Sequence, residues 1–109
     1  MSRILKFRVW DDQTKTMSCF DITETYGHIP NDLKHNIQQF TGHVDETGKE
    51  IYEGDIIESF GSVAEIVWSK TNSMFMSKVS ENFYRFYNPE CMKVIGNIFE
   101  NPELVKSRD

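Results

Sequence analysis

The stretch FTGHVDETGKEIYEGDIIES, residues 40–59, is written in turns and short strands. Asp45 and Gly48 mark a tight reversal, because Asp accepts hydrogen bonds from amides just downstream and Gly adopts backbone conformations that other residues avoid. Gly54 and Asp55 mark a second reversal immediately before the apolar pair Ile56 and Ile57. The run therefore reads as turn, short strand, corner, strand. Gly54 at that corner is expected to hold a positive φ.

Outward from this centre, the extended pattern continues in both directions. Residues 4–10 alternate, with Leu5, Phe7 and Val9 on one face and Lys6 and Arg8 on the other, which is the period of a half-buried strand; Trp10 falls on the face of Lys6 and Arg8. A polar break at 11–16 and a second extended run at 17–22 predict a hairpin. Residues 23–36 carry Gly27, Pro30 and Asn31 and read as a loop, with one helical turn near 32–35. On the other side, Gly61 separates the runs 56–60 and 63–68 into a second hairpin. The run 63–68 carries apolar residues on both faces, so it is either central in a small barrel or covered by a partner. Three more strands are predicted at 73–79, 83–87 and 92–95, and Asn101-Pro102 signals a short terminal helix whose first amides Asn101 would cap. Leu104 or Val105 should dock on the core. No stretch of 12 residues shows a helical apolar stripe, and turn signals about every ten residues favour a small barrel or sandwich.

Bulk properties set outer limits. A chain of 109 residues fits one domain and buries roughly 65% of its unfolded surface, enough for a core without disulfide or metal support. Cys19 and Cys91 stand 72 positions apart and read as reduced, half-buried small hydrophobes. The opening MSRILKFRVWDD is too frequently charged for the apolar core of a signal peptide, about 7–15 residues long. No stretch reaches the length of a membrane span, so the reading is a soluble, cytoplasmic protein. The net charge of −5 disfavours a dedicated nucleic-acid binder, since phosphate neutralisation needs a concentrated basic surface. Arg3, Lys6 and Arg8 make one end basic, while Asp45, Glu46, Glu50, Glu53, Asp55 and Glu58 make the middle acidic; the patches are ordinary solvated surface or meet between copies in an oligomer.

No chemistry-bearing constellation emerges. A zinc site would require three or four of Cys19, Cys91, His28, His35 and His43 to converge, yet no pair has short metal-ligand spacing. A Cys–His nucleophile pair has no more support. Glu50, Glu53, Asp55 and Glu58 invite an acid–base reading, and Glu53 and Asp55 could share a strand face; turn stabilisation by Asp55 is the stronger explanation. The glycines are isolated, so no phosphate-cradling loop is present. Phe83, Tyr84, Phe86 and Tyr87 around Arg85 fit core or oligomer packing first, a protein-partner face second and nucleobase stacking third. Catalytic, cofactor-binding and metal-binding residues are therefore all assigned as none.

Three segments together resemble the YopX family of small phage and prophage proteins: ILKFRVWD at 4–11, QQFTGHVDETGKEIYEGDII at 38–57 and KVIGNIFENPEL at 93–104. They cover about 40 of the 109 residues, in the family's order. Residues 19–37 and 59–91 carry no such resemblance. The resemblance implies an all-β protein in which a small SH3-like barrel, roughly residues 38–105, follows an amino-terminal β-hairpin extension with a variable loop (residues 1–37) and precedes a frayed tail at 106–109. It implies no reaction, cofactor or catalytic residue. It places the protein as an accessory factor in a bacterial host cell.

The expectation is thus a non-enzymatic, single-domain protein that acts as a homo-oligomer contacting a host or phage protein, with no cofactor and no membrane association. The alternative is a nucleic-acid-binding small β-barrel, which a basic stripe of Arg3, Lys6, Arg8, Lys78, Arg85 and Lys93 would favour. An enzyme ranks third. Because the Cys and His residues are dispersed, chelator should leave the melting temperature unchanged. A drop of many degrees in a thermal melt with excess EDTA would overturn that expectation.

Overall fold

The computed structural model describes residues 5–21, 36–85 and 89–106. The chain divides into two compact units, residues 1–40 and 41–109. The loop and helical turn expected between residues 23 and 35 lie outside the described residues.

In the first unit, β1 (Lys6–Asp11) lies between β2 (Thr16–Asp21) and the first half of β3 (Ile37–Val44), antiparallel to both. Asp11 closes the β1–β2 turn: its Oδ1 accepts the Gln13 amide at 2.9 Å and its carbonyl accepts the Lys15 amide at 2.8 Å. Phe7 and Phe20 face each other across the hairpin with ring centroids 5.7 Å apart. The expected hairpin is present, but its buried face is the one that carries the charges. Arg8 and Trp10 are 7% and 5% exposed, whereas Leu5 is 37% exposed and Phe7 and Val9 are only half-buried. A guanidinium can go inside when it is hydrogen-bonded. Arg8 Nε donates to Gln38 Oε1 at 2.7 Å, and Lys6 reaches over the Phe40 ring, 5.4 Å from its centroid. Asn36 adds a tie by donating to the Trp10 carbonyl at 3.0 Å.

The second unit begins with the remainder of β3, beside β4 (Glu50–Tyr52). A meander follows: β5 (Asp55–Ser59), β6 (Ser62–Ser69), β7 (Met74–Val79) and β8 (Asn82–Arg85). A 3₁₀ turn at Pro89–Cys91 leads into β9 (Lys93–Asn97), which returns to pair antiparallel with β5. The five-stranded order is β8-β7-β6-β5-β9. This is the all-β, small-barrel-like plan expected of residues 38–105, and the extended run at 63–68 becomes the middle strand. α1 (Glu103–Lys106) closes the chain against β6.

One face of this sheet holds the core: Ile51, Ile57, Ala64, Ile66, Met92 and Val94, with Phe75 and Val79 packed alongside. Ile51, Ile56 and Ile66 are completely buried, and each contributes roughly 1.5–3 kcal/mol of hydrophobic stabilisation. The β5–β6 connection is the two-residue type, with φ of 51° at Phe60 and 81° at Gly61, the left-handed pair that matches strand twist in a tight hairpin. Phe60 is 90% exposed there.

Buried polar side chains hold the turns. Asp45, 4% exposed, accepts the Thr47 and Lys49 amides at 2.9 Å each and the Thr47 hydroxyl at 2.8 Å through Oδ1, while Oδ2 accepts the Val94 amide at 2.9 Å. One carboxylate thereby folds its own turn and fastens it to β9. Asp55, 1% exposed, accepts the Tyr52 amide at 2.7 Å across the second corner. Gly54 between them has φ 87° as expected, donates to the Ile66 carbonyl at 2.7 Å and accepts the Ile98 amide at 3.0 Å. Asn97 Oδ1 accepts the Phe99 and Glu100 amides at 3.0 and 2.9 Å. The side chain expected to cap the terminal helix works elsewhere: Asn101 Oδ1 accepts the Asn97 amide at 3.2 Å. It lies only 2.5 Å from where a Cβ on Gly96 would stand, so a larger residue there would push the Asn101 side chain from this position.

Burial alone would raise the Asp45 pKa. The hydrogen bonds from Val94, Thr47 and Lys49 outweigh it and bring the carboxyl from 3.8 down to about 2. A depressed carboxylate stabilises the fold above its unfolded value, and that stability is lost as pH falls through its folded value. Asp45→Asn should therefore cost about 2 kcal/mol at neutral pH. In urea unfolding, the gap between wild type and variant should close as pH falls from 3.8 toward about 2; a gap independent of pH would refute the assignment. Gly54→Ala should lose about 1–2 kcal/mol through left-handed strain, and unchanged denaturant midpoints would show that the corner tolerates a side chain.

Candidate functional site

The register of the five-stranded sheet puts Ile57 opposite Ala64, Ser59 opposite Ser62, Ile66 opposite Ser77 and Ser77 opposite Tyr84. Paired residues in antiparallel strands share a face, so all of these side chains point to the core side of the sheet. Toward Ile51, Val94 and Met92 that side is filled. Toward the Ser59–Ser62 end it opens into a groove of about 270 Å³ lined by Ile57, Ser59, Ser62, Ala64, Ser77, Val79 and Tyr84. None of the lining residues is charged.

Ser77 stands out within this lining. It is 6% exposed, and its hydroxyl is buried without a hydrogen-bond partner. A buried hydroxyl left unsatisfied costs about 1–3 kcal/mol, and most such groups in folded proteins find a partner. Ser59 is already engaged, donating to the Cys91 carbonyl at 3.3 Å. Tyr84, directly across from Ser77, is 53% exposed. The groove thus offers an apolar floor and an aromatic rim, with the Ser77 hydroxyl enclosed out of reach of solvent.

The opposite face carries the charges. Glu65, Lys78 and Phe83 sit in cross-strand register on β6, β7 and β8. Burial pushes the Glu65 carboxyl up, Lys78 opposes the shift, and nearby Glu53 adds to it. Lys78 Nζ lies 5.9 Å from the Phe83 ring centroid.

The residues weighed from sequence distribute unevenly over this framework. Phe83 and Tyr84 are both 53% exposed, on opposite faces of β8; of the first reading for 83–87, core or oligomer packing, the core part does not hold for these two, because β8 ends the strand order. Phe86 and Tyr87 lie outside the described residues. Cys19 and Cys91 are not joined in a disulfide, and both are exposed rather than half-buried. His43 is exposed, and His28 and His35 fall outside the described residues. Among the described residues no three His, Cys, Asp or Glu converge as a metal site.

Of the acidic candidates, Asp55 is committed to the Tyr52 amide, Glu50 Oε1 accepts the Tyr52 hydroxyl at 3.1 Å and Glu58 is exposed. Glu53 acts on a carboxylate that sequence reasoning passed over, Glu65, which it helps to push up. Of the stripe Arg3, Lys6, Arg8, Lys78, Arg85 and Lys93, Arg3 is not described and Arg8 is buried. Lys93 belongs to β9, at the far end of the strand order from Arg85 on β8. No helix of the described residues is long and apolar enough to cross a membrane. Sequence reasoning also missed the Ser77 groove; a serine placed among β-branched and aromatic strand residues is a faint signal.

No curated protein matches the chain. The crystal structure of protein EF1440 from Enterococcus faecalis is similar, with 25% sequence identity and a TM-score of 0.66 over 96% of this chain and 100% of that one. The YopX protein family model matches residues 18–106. That match spans β2 to α1 and takes in the Asp45, Asp55 and Asn97 turns, so the chain belongs to the YopX family.

Proposed function

We propose that this protein is a non-enzymatic, self-associating protein-interaction module, acting as an accessory factor in the cytoplasm of a bacterium that carries the phage or prophage. The observation that supports this reading is β8. It ends the five-stranded order, all four of its residues are exposed, and two of them are the aromatics Phe83 and Tyr84. An aromatic strand at a sheet edge is a template for pairing, which monomeric proteins usually blunt. Phe60 supports the same reading, since a bulky residue at positive φ and 90% exposure serves the fold poorly on both counts.

Nucleic-acid binding is the weaker alternative. Lys78 and Arg85 flank Phe83 on one face, but Glu65 stands in the same row and the net charge is −5. Capture from infected bacterial lysate with and without nuclease separates the two readings: nuclease-resistant protein partners support the first, and nuclease-sensitive capture replaces it with the second.

Self-association has its own measurement. Size exclusion with light scattering at micromolar concentration should give at least twice the 12.8 kDa chain mass. Phe83→Asp should shift the protein toward monomer by at least tenfold in dissociation constant while leaving its melting temperature nearly unchanged, because the side chain is exposed. A wild-type monomer at high concentration would sink the reading.

A further inference from the structure

We propose that β8 is a detachable strap: it opens on its own while the rest of the second unit stays folded, and in opening it uncovers the β7 edge and the Ser77 hydroxyl. The inference goes beyond the interaction-module reading and does not depend on it, because opening is a property of the single chain.

The two ends of the five-stranded order are fastened very differently. β9 is tied at its start, middle and end: the Glu46 amide donates to the Met92 carbonyl, the Val94 amide to the Asp45 carboxylate and the Ile98 amide to the Gly54 carbonyl. Val94 and Asn97 are buried. The 3₁₀ turn that precedes β9 is held by the Ser59 hydroxyl, which donates to the Cys91 carbonyl at 3.3 Å. None of these ties passes through β8. That strand has four residues, all exposed, and it pairs with β7 at the end of the order. The residues packed around Ile57 and Ile66 come from elsewhere in the unit, and none of them belongs to β8. Few buried apolar contacts and a solvent-exposed ladder mark a segment that opens well below the free energy of global unfolding.

Two features of the closed strap oppose it. The β7–β8 hairpin turns over Ser80 and Glu81, and Ser80 holds φ 56°. Tight hairpins fill such a position best with Gly, Asn or Asp, because a Cβ is crowded in the left-handed region. Ser77, directly across from Tyr84, keeps a hydroxyl without a hydrogen-bond partner among the described residues, in a place that water does not reach. Release of β8 relaxes the turn and lets water reach the hydroxyl. Both tensions therefore sit at the strap, and one movement relieves both.

The test uses the full chain carrying Cys19→Ser and Cys91→Ser, so that one introduced thiol reports alone. Ser77→Cys places that thiol under the strap, and Val94→Cys, made separately, places it in β9. With a thiol-reactive dye in excess and the protein below micromolar concentration, labelling at Ser77→Cys should run at least tenfold faster than at Val94→Cys. Low urea should leave the Ser77→Cys rate nearly flat, because a local opening exposes little surface, while the Val94→Cys rate climbs as global unfolding does. Equal rates, or the same urea dependence at both positions, would overturn the proposal. Where a thiol disturbs the fold, hydrogen exchange on the wild-type chain makes the same comparison: the slowest β7–β8 amides should exchange at least tenfold faster than the slowest β5–β9 amides, and equal protection would overturn it. Repeating the labelling at the concentration used for light scattering keeps the two readings apart. Labelling of Ser77→Cys that slows as concentration rises records self-association over an opening strap, and a monomer whose strap still opens removes self-association alone.

Discussion

The bond from the Val94 amide to the Asp45 carboxylate, 2.9 Å long and spanning 49 positions, is the constraint on which the second unit depends. The same carboxylate that closes the 45–49 turn also fixes where β9 runs, and β9 in turn covers the edge of β5. The Glu46 amide reinforces the seam by donating to the Met92 carbonyl at 2.9 Å. Met92 and Val94 can then complete the core around Ile51 and Ile57. Without the seam, the meander from β5 to β8 would still have local pairing, but its β5 edge and its core would both be open.

This arrangement explains why the family segments look as they do. Asp45, Gly54, Asp55, Gly96, Asn97 and Asn101 each serve a corner or the close approach of two backbones, through hydrogen bonds or through the absence of a Cβ. These residues are a signature of geometry. The exposed aromatics Phe60, Phe83 and Tyr84 fall between the segments at 38–57 and 93–104, within the residues that the family model also matches.

Much of the architecture was legible because it is written in local rules. The strand periods, the Gly54 corner, the Gly61 hairpin and the Asn101-Pro102 helix start all act within a few residues. What sequence could not reveal was decided by distant partners. Arg8 reads as a solvent-facing charge until Gln38, 30 positions away, takes its Nε–H. Asn101 reads as a helix cap until Gly96 lets its side chain reach the Asn97 amide. Ser77 reads as an unremarkable strand residue, and only the register with Ile66 and Tyr84 shows that its hydroxyl is buried and idle.

The late return of β9 has a consequence for how the molecule comes into being. Strands β5 to β8 pair with near neighbours, whereas Asp55 must wait for Asn97, the last residue of β9. During synthesis on the ribosome, which adds about 5–20 residues per second, the nascent meander therefore spends seconds with the β5 edge open and the Asp45 carboxylate lacking its farthest donor. Non-local closure of this kind is slow relative to hairpin formation. The interval is a window for aggregation or chaperone capture, and it closes only when nearly the whole chain has emerged.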